Sequence, residues 1–352
     1  MTDATRPRHH LVIGASGFLG AHVVRRLAAA GHPVRALLRP TSSTRGLEGL
    51  EELAGPVEVV HGDVHDADSI RAAMAGVDVV HFCVVDARPW LRDPAPLYRT
   101  NVDGLRTVLD VAREHDLHRF VLTSSIGTLP IGERPVTEDD GPHNWLHRTG
   151  HYIASRVAAE ELALGYAREH GVPVVALCVA NTYGPGDHLP TPHGGFLKAA
   201  VRGRSRFYVR GAAAEVVDVR DAAQAFLLAA ERGRVGARYI VSAGWMSTEE
   251  ILRTGAEHVG VPAPRWGIPL PVLSAVGAVG EVVARVRDRE SRLTRETVRL
   301  MHVMTPLDHS RALTELGWQP RPLADTVRDA AEFFLRRRAR PPAAPVPPVP
   351  VD

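Results

Sequence analysis

The sequence predicts an α/β fold, a doubly wound parallel sheet covered by helices on both faces and followed by a smaller C-terminal lobe. Three observations carry that reading. Short β-branched runs alternate with helix-length stretches between residues 10 and 178. A glycine-rich turn joins the first run to the first helix. The chain has 352 residues, 45% apolar and 23% charged, enough to bury a large core and too apolar for a disordered chain.

The elements follow in order. HLVIG starts the first strand at His10, and 18–30 reads as a helix. VRALL (34–38) and VEVV (57–60) are the second and third strands, with a helical stretch at 69–74 after them. VDVVHF (77–82) is the fourth strand, 102–115 a helix, RFVLTSS (119–125) the fifth strand, 152–170 a helix and VPVVALC (172–178) the sixth strand. Runs this short and apolar suit strands buried on both faces. After residue 180 the alternation loosens. Proline and glycine cluster at 181–195 and 260–271, and helices at 221–232, 248–259, 270–286 and 323–338 are interleaved with short strand candidates such as RYIVS (238–242). The expected division is a dinucleotide-binding lobe over 8–180, a smaller substrate lobe over 181–338 with some elements interleaved with the first, and a proline-rich, extended and disordered tail over 339–352.

Composition excludes several functions. Forty-two basic residues against 40 acidic ones leave a net charge of +2, which gives the whole chain no broad footprint for nucleic acid or an anionic membrane. Small molecules are the expected partners. Forty-one of the basic residues are arginine, and Lys198 is the only lysine. Cys83 and Cys178 lie in apolar runs, so a disulfide framework is not expected and a reducing cytoplasm fits. No signal-peptide pattern opens the sequence, and its longest weakly charged stretch, 270–284, is too short to span a bilayer. That stretch suits either a cover over a pocket or packing on the core. The 18 histidines show no metal-ligand spacing, and no metal is expected.

The strongest local signal is Gly14-Ala-Ser16-Gly17-Phe18-Leu19-Gly20, placed between a strand and a helix. Glycines there let backbone N–H groups approach a pyrophosphate, and the helix N-terminus favours the anion. This is the Rossmann context for a dinucleotide. At the end of the second strand an acidic residue would bond the ribose 2′-hydroxyl of NAD, and an arginine would pair with the 2′-phosphate of NADP. No Asp or Glu occurs between Gly14 and Leu47, and Arg39 follows VRALL. NADP(H) is therefore favoured, with NAD(H) retained as the alternative in case Arg39 only faces solvent. Asp63, in His61-Gly62-Asp63-Val64, is placed either to bond the adenine edge or to close a turn.

The glycine spacing, GDV after the third strand, VVHFCV on the fourth, Asn101-Val-Asp-Gly104, VLTSS on the fifth and a Tyr-x-x-Ser start together resemble the extended short-chain dehydrogenase/reductase superfamily. Within it, VRALLRPTSS, WLRDPAPLYRTNVDG and YGPGDHLPTP are similar to the dihydroflavonol-4-reductase-like branch and its hopanoid-associated sugar epimerase relatives. The resemblance covers about residues 10–335. It implies that Val64, Val84 and Thr123 line the cofactor, that Asn101 holds a backbone carbonyl or a water, and that a homodimer forms through the helices near 102–115 and 152–170.

The same resemblance implies a Ser/Thr–Tyr–Lys trio. Ser125 would orient the substrate carbonyl, with Ser124 as substitute if the register slips by one, and Tyr152 would be the proton donor. A developing alkoxide needs such an acid and donor nearby. The lysine position is Arg156, one turn after Tyr152 on the same helix face. A guanidinium can lower the phenol pKa and bond ribose hydroxyls, but it cannot relay a proton. Three readings stay open: a working reductase, a repurposed site, or a protein that binds cofactor without turnover.

For the substrate, Asn181 and Thr182 lie in the loop that the resemblance places beside the nicotinamide pocket. Trp90 and Trp145 either line an apolar pocket or cap the fold. Sugar-nucleotide enzymes of the superfamily commonly carry an Arg-Asp pair before the strand that here reads Val216-Val217-Asp218, and this chain has Ala214-Glu215. The expected substrate is therefore a small hydrophobic or aromatic ketone or secondary alcohol. A sugar epimerase or dehydratase with tightly bound NAD is the alternative.

Overall fold

A computed structural model describes residues 7–336 of the chain. The strands are β1 (His10–Ile13), β2 (Val34–Leu38), β3 (Val57–His61), β4 (Val79–Phe82), β5 (Arg119–Ser125), β6 (Val174–Val179), β7 (Asn181–Tyr183), β8 (Phe207–Arg210), β9 (Ala213–Asp218), β10 (Arg238–Val241), β11 (Gly244–Ser247) and β12 (Trp266–Pro269). The α-helices are α1 (Phe18–Ala29), α2 (Ala67–Met74), α3 (Ala95–Tyr98), α4 (Gly104–Ala112), α5 (His151–His170), α6 (Pro192–Val201), α7 (Val219–Arg232), α8 (Thr248–His258), α9 (Leu270–Val286), α10 (Arg295–Leu300) and α11 (Leu323–Arg336).

Seven strands form one parallel sheet in the order β10-β6-β5-β4-β1-β2-β3. The order reverses between β1 and β4. Connections leave those two strands in opposite directions and open a crevice beyond their C-terminal ends, the usual ligand position in such sheets. The pleat sorts side chains between two cores. Val12 and Val121 enter the one under α1 and α7, whereas Leu11, Ile13, Phe120 and Leu122 enter the one under α2, α4 and α5. The central strands β1, β4, β5 and β6 are covered on both faces, so their runs are nearly continuous rather than alternating, whereas the edge strand β3 is half exposed.

Beyond residue 180 the chain forms a three-stranded sheet, β11-β9-β7, and a two-stranded one, β12-β8. Leu197 and Val201 of α6, Ile251 and Leu252 of α8 and Val327 and Phe334 of α11 make its core. Yet β10 returns to the edge of the large sheet and α7 packs against α1, so the C-terminal half also completes the first layer. The proline-rich stretch lies outside the described residues.

Two elements depart from expectation. The helix expected at 102–115 starts earlier and stops at Ala112: α3 runs without a break through a π-helical turn, Arg99–Asp103, into α4. Such single π turns often mark functional sites. The apolar helix α9 neither packs on the core nor covers a pocket with its valines, because only Gly277 of its 17 residues is buried. Its inward face carries Leu270, Leu273 and several small or polar residues, only Gly277 of them fully buried, and the valines point out.

Candidate active site

The turn after β1 is a cradle made by missing side chains. Gly14 has φ 87°, and a Cβ there would meet the Cys83 carbonyl carbon at 3.0 Å and Val84 Cγ2 at 2.9 Å. A Cβ on Gly20 would meet the Gly14 oxygen at 2.3 Å, so only glycine lets α1 approach the strand this closely. Gly17 starts α1 with no side-chain cap and no acidic residue in the first turn. Ser16, Phe18 and Leu19 are half-buried beside it. The free N–H groups of that first turn are open to an anion.

Arg39 stands exposed just past β2 and makes no ion pair with another described residue. Asp63 Oδ1 accepts from His65 N at 3.0 Å, so one carboxylate oxygen closes the turn after β3. Val64 is buried against Gly104, and Val84 is half-buried at the end of β4.

The catalytic candidates meet where β5 ends and α5 begins. Tyr152 and Arg156 lie one turn apart on α5. Arg156 is 1% exposed, and its Nη2 donates to the Thr123 carbonyl at 2.5 Å, which ties α5 to β5. Its Nε and Nη1 are buried without a hydrogen-bond partner. Burial pulls the guanidinium pKa down, while Tyr152, Glu160 and Cys178 push it up. The phenol of Tyr152 departs from expectation. Burial raises its pKa above the usual tyrosine value, and the opposing charge of Arg156 does not cancel that. Tyr152 is therefore held in its protonated form.

Ser125 is half-buried, and its Oγ accepts from Gly127 N at 3.1 Å, leaving its own O–H to donate. Ser124 is differently occupied: its hydroxyl donates to Glu160 Oε2 inside the core. That separates the two serines that the sequence left open.

Asn101, fully buried in the π turn, braces the site from behind. Its Oδ1 accepts from Asp86 N at 2.8 Å, and its Nδ2 donates to the Asp86 carbonyl at 3.1 Å and to Ser155 Oγ at 3.0 Å. Ser155 in turn donates to the Tyr152 carbonyl at 2.7 Å. One amide thus links the loop after β4 to the first turn of α5.

Sequence reasoning missed Glu160. It is 5% exposed and one turn beyond Arg156, and it accepts from Ser124, from Thr128 Oγ1 at 3.0 Å and from Cys178 Sγ at 3.4 Å. Arg238 of β10 pairs with it at 3.3 Å. The Tyr152, Arg156, Glu160 spacing of four and four was the available signal. Both cysteine thiols are held protonated by burial, Cys83 up to about 12, so neither is a nucleophile at neutral pH.

The remaining candidates are dispersed. Trp145 is 1% exposed, with its Nε1 donating to the Leu129 carbonyl at 2.9 Å and its ring packed with Ile153 and Val157, so it caps the fold and does not line a pocket. An indole N–H with a carbonyl in reach can be buried whole. Trp90 is half-buried beneath the Arg292 guanidinium, 5.4 Å from its ring centre. Asn181 and Thr182 form β7 beside β9, and the Thr182 carbonyl bonds His193 Nε2 at 2.8 Å. Glu215 is 1% exposed: its carboxylate accepts from Leu307 N at 2.8 Å and from Ser242. Among the described residues, no three His, Cys, Asp or Glu side chains are grouped to hold a metal ion.

The family described as NAD dependent epimerase/dehydratase matches residues 10–242. The chain belongs to that family. A Synechocystis protein named for dihydroflavonol 4-reductase activity is 31% identical, covering 92% of this chain and 93% of its own length. Sterol demethylase protein B of Methylococcus capsulatus is 31% identical over 93% of this chain and 98% of its own. The crystal structure of gox2253 superposes with a TM-score of 0.81 at 31% identity, covering 94% of this chain and 98% of that one. Members named as dTDP-glucose 4,6-dehydratases and ketoreductases also match. The chain is thus an enzyme of the NAD(P)-dependent epimerase/dehydratase family, whose matching relatives carry reductase, ketoreductase and dehydratase names. The glycine cradle, the uncapped α1 and the unpartnered Nε and Nη1 of Arg156 fit the dinucleotide that this family uses.

Proposed function

We propose that the chain is an NADP(H)-dependent reductase/dehydrogenase that interconverts a ketone and a secondary alcohol on a small hydrophobic or aromatic metabolite. The observation that carries this reading is Ser125 at the end of β5, its Oγ accepting from Gly127 N and its own O–H left to donate, together with Ala214 at the position where sugar-nucleotide enzymes commonly place a diphosphate-binding arginine. Two further arginines near that region, Arg220 and Arg321, are already paired with Asp218 at 2.7 Å and Asp221 at 2.8 Å.

The dinucleotide, when bound, supplies the hydride. Gly14, Gly17 and Gly20 would hold its pyrophosphate against the start of α1, and Arg39 would pair with a 2′-phosphate. Arg156, whose Nε and Nη1 have no partner while Nη2 donates to the Thr123 carbonyl, would bond the ribose hydroxyls. Ser125 donates to the substrate oxygen, and Tyr152 gives that oxygen its proton in reduction or takes it back in oxidation. Asn101, through Ser155 and Asp86, holds the phenol's helix turn in register with the loop after β4. Arg156 contributes charge and hydrogen bonds without itself releasing a proton.

The test is a panel of hydrophobic ketones with NADPH and NADH, with loss of reduced cofactor monitored by absorbance. Stoichiometric NADPH consumption supports the reading. Turnover of a sugar nucleotide with no net change in the cofactor would replace it with an epimerase or dehydratase.

A further inference from the structure

Helix α9 keeps its valines outward. The face towards the protein carries Leu270, Leu273, Ser274, Gly277, Ala278 and Glu281, of which only Gly277 is fully buried. A Cβ on Gly277 would meet the Thr294 carbonyl carbon at 3.1 Å, and Glu281 Oε1 accepts from Arg295 N at 2.6 Å, so small and polar residues share in the internal contact. The outward face carries Val272, Val276, Val279, Val282, Val283 and Val286, 43–82% exposed. These positions follow the three-and-four spacing of one helix face. Together they expose roughly 500 Å², as large as the largest patch on an ordinary monomer.

The charge around this face is uneven. Residues 265–299 contain seven arginines and four acids, a net of +3 in a chain whose total is +2. Glu281 is turned inward, and Asp288 is paired with Arg92 at 3.0 Å. Arg285, Arg287 and Arg289 are exposed at the C-terminal end of the valine face and make no ion pair with another described residue.

From this arrangement we infer that α9 docks the chain on an anionic lipid surface, its valines at the acyl boundary and its arginines among the phosphates. An apolar face bordered by arginines is the pattern of an interfacial helix. At 17 residues α9 can lie on a bilayer, and no helix among the described residues is long and apolar enough to cross one. A second copy fits less well. The patch falls short of the roughly 800 Å² per partner of a stable interface, and a two-fold contact would face two net-positive segments with each other. The docked arm borders the proposed active site: Glu296 of α10 abuts Gly150 at the start of α5, and Arg292 covers Trp90. The docking does not depend on which reaction that site performs.

Flotation of the full chain with vesicles tests this directly, comparing phosphatidylcholine alone with phosphatidylcholine containing phosphatidylglycerol. The expected result is capture by the anionic vesicles only, weakened by added salt. The double variant Val276→Asp/Val283→Asp should reduce capture at least tenfold, and Arg287→Glu/Arg289→Glu should do likewise, with thermal unfolding unchanged in both. No capture of the natural chain, or equal capture by the neutral vesicles, would overturn the inference. So would a lipid-free dimer that the valine variant converts to monomer, since a second copy would then cover the face.

Discussion

The Arg156 guanidinium donates to the Thr123 carbonyl at 2.5 Å and leaves Nε and Nη1 buried without a partner. Such orphaned donors each cost about 1–3 kcal/mol in a closed protein, so a ligand that accepts from them is favoured. Arg156→Met keeps much of the side-chain volume and removes every donor. It should weaken NADP(H) binding at least tenfold, measured by titration of intrinsic fluorescence. Saturating cofactor, which should stabilise the natural chain by about 2.7 kcal/mol at a hundred times its dissociation constant, should stabilise this variant much less.

Ser124 and Ser125 should separate stability from turnover. Ser124 bonds the buried Glu160 carboxylate, whereas Ser125 keeps a free O–H at the end of β5. Ser124→Ala is expected to cost about 1–3 kcal/mol in urea unfolding. Ser125→Ala gives up the bond from Gly127 N, at a cost of about 1 kcal/mol, but its distinguishing effect should be a kcat lowered by about a hundredfold, as loss of one oxyanion donor does.

Glu160 takes three hydrogen bonds and pairs with Arg238 while lying one turn from Arg156. Glu160→Gln removes the charge and leaves both cations underneutralised in the core. Breaking a buried pair in this way is expected to destabilise by about 3 kcal/mol. Urea denaturation checks it; an unchanged midpoint would mean that the network contributes nothing.

Tyr152 should set the alkaline limb of the reaction. Because burial holds its pKa above the usual tyrosine value, the phenol remains a proton donor through neutral pH. Reduction should therefore hold its rate there and fall only well into the alkaline range, while oxidation, which needs the phenolate, should speed up over that same range. Tyr152→Phe should lower kcat by about 10²–10⁴-fold with cofactor binding retained.

His10 and His81 predict acid lability. Their rings lie 2.9 Å apart, Nδ1 to Nε2, inside the sheet, and burial lowers both pKa values, that of His81 to about 3. The unfolded chain then binds more protons than the folded one below about pH 6.5. Stability is full above that pH and should fall by about 1.4 kcal/mol per pH unit for each ring as the pH drops towards 3. Chemical denaturation across pH 4–8 measures the slope, and replacing both histidines with glutamine should flatten it.

The large sheet and the cofactor turn were legible because their causes are local. Gly14, Gly17 and Gly20 announce a backbone approach, and strands buried on both faces must read as unbroken apolar runs. What escaped depends on partners far away in sequence. Glu160 looks like an ordinary helical carboxylate until Arg238 arrives on β10. The π turn at Asn101 is stabilised by Asp86 and Ser155, neither of them adjacent. Trp145 could not be assigned to core or pocket before the Leu129 carbonyl was seen to satisfy its indole N–H. The charge of +2 concealed a segment of +3, because a sum over the chain does not record where charges sit.

The most direct test follows the hydride. NADPH deuterated at the transferable position would be incubated with a hydrophobic ketone that the enzyme turns over, and NADP+ and alcohol quantified together. The account predicts one NADP+ for each alcohol, with deuterium on the carbinol carbon. Conversion of a sugar nucleotide with the nicotinamide returned to its starting state, and no ketone reduced, would contradict it.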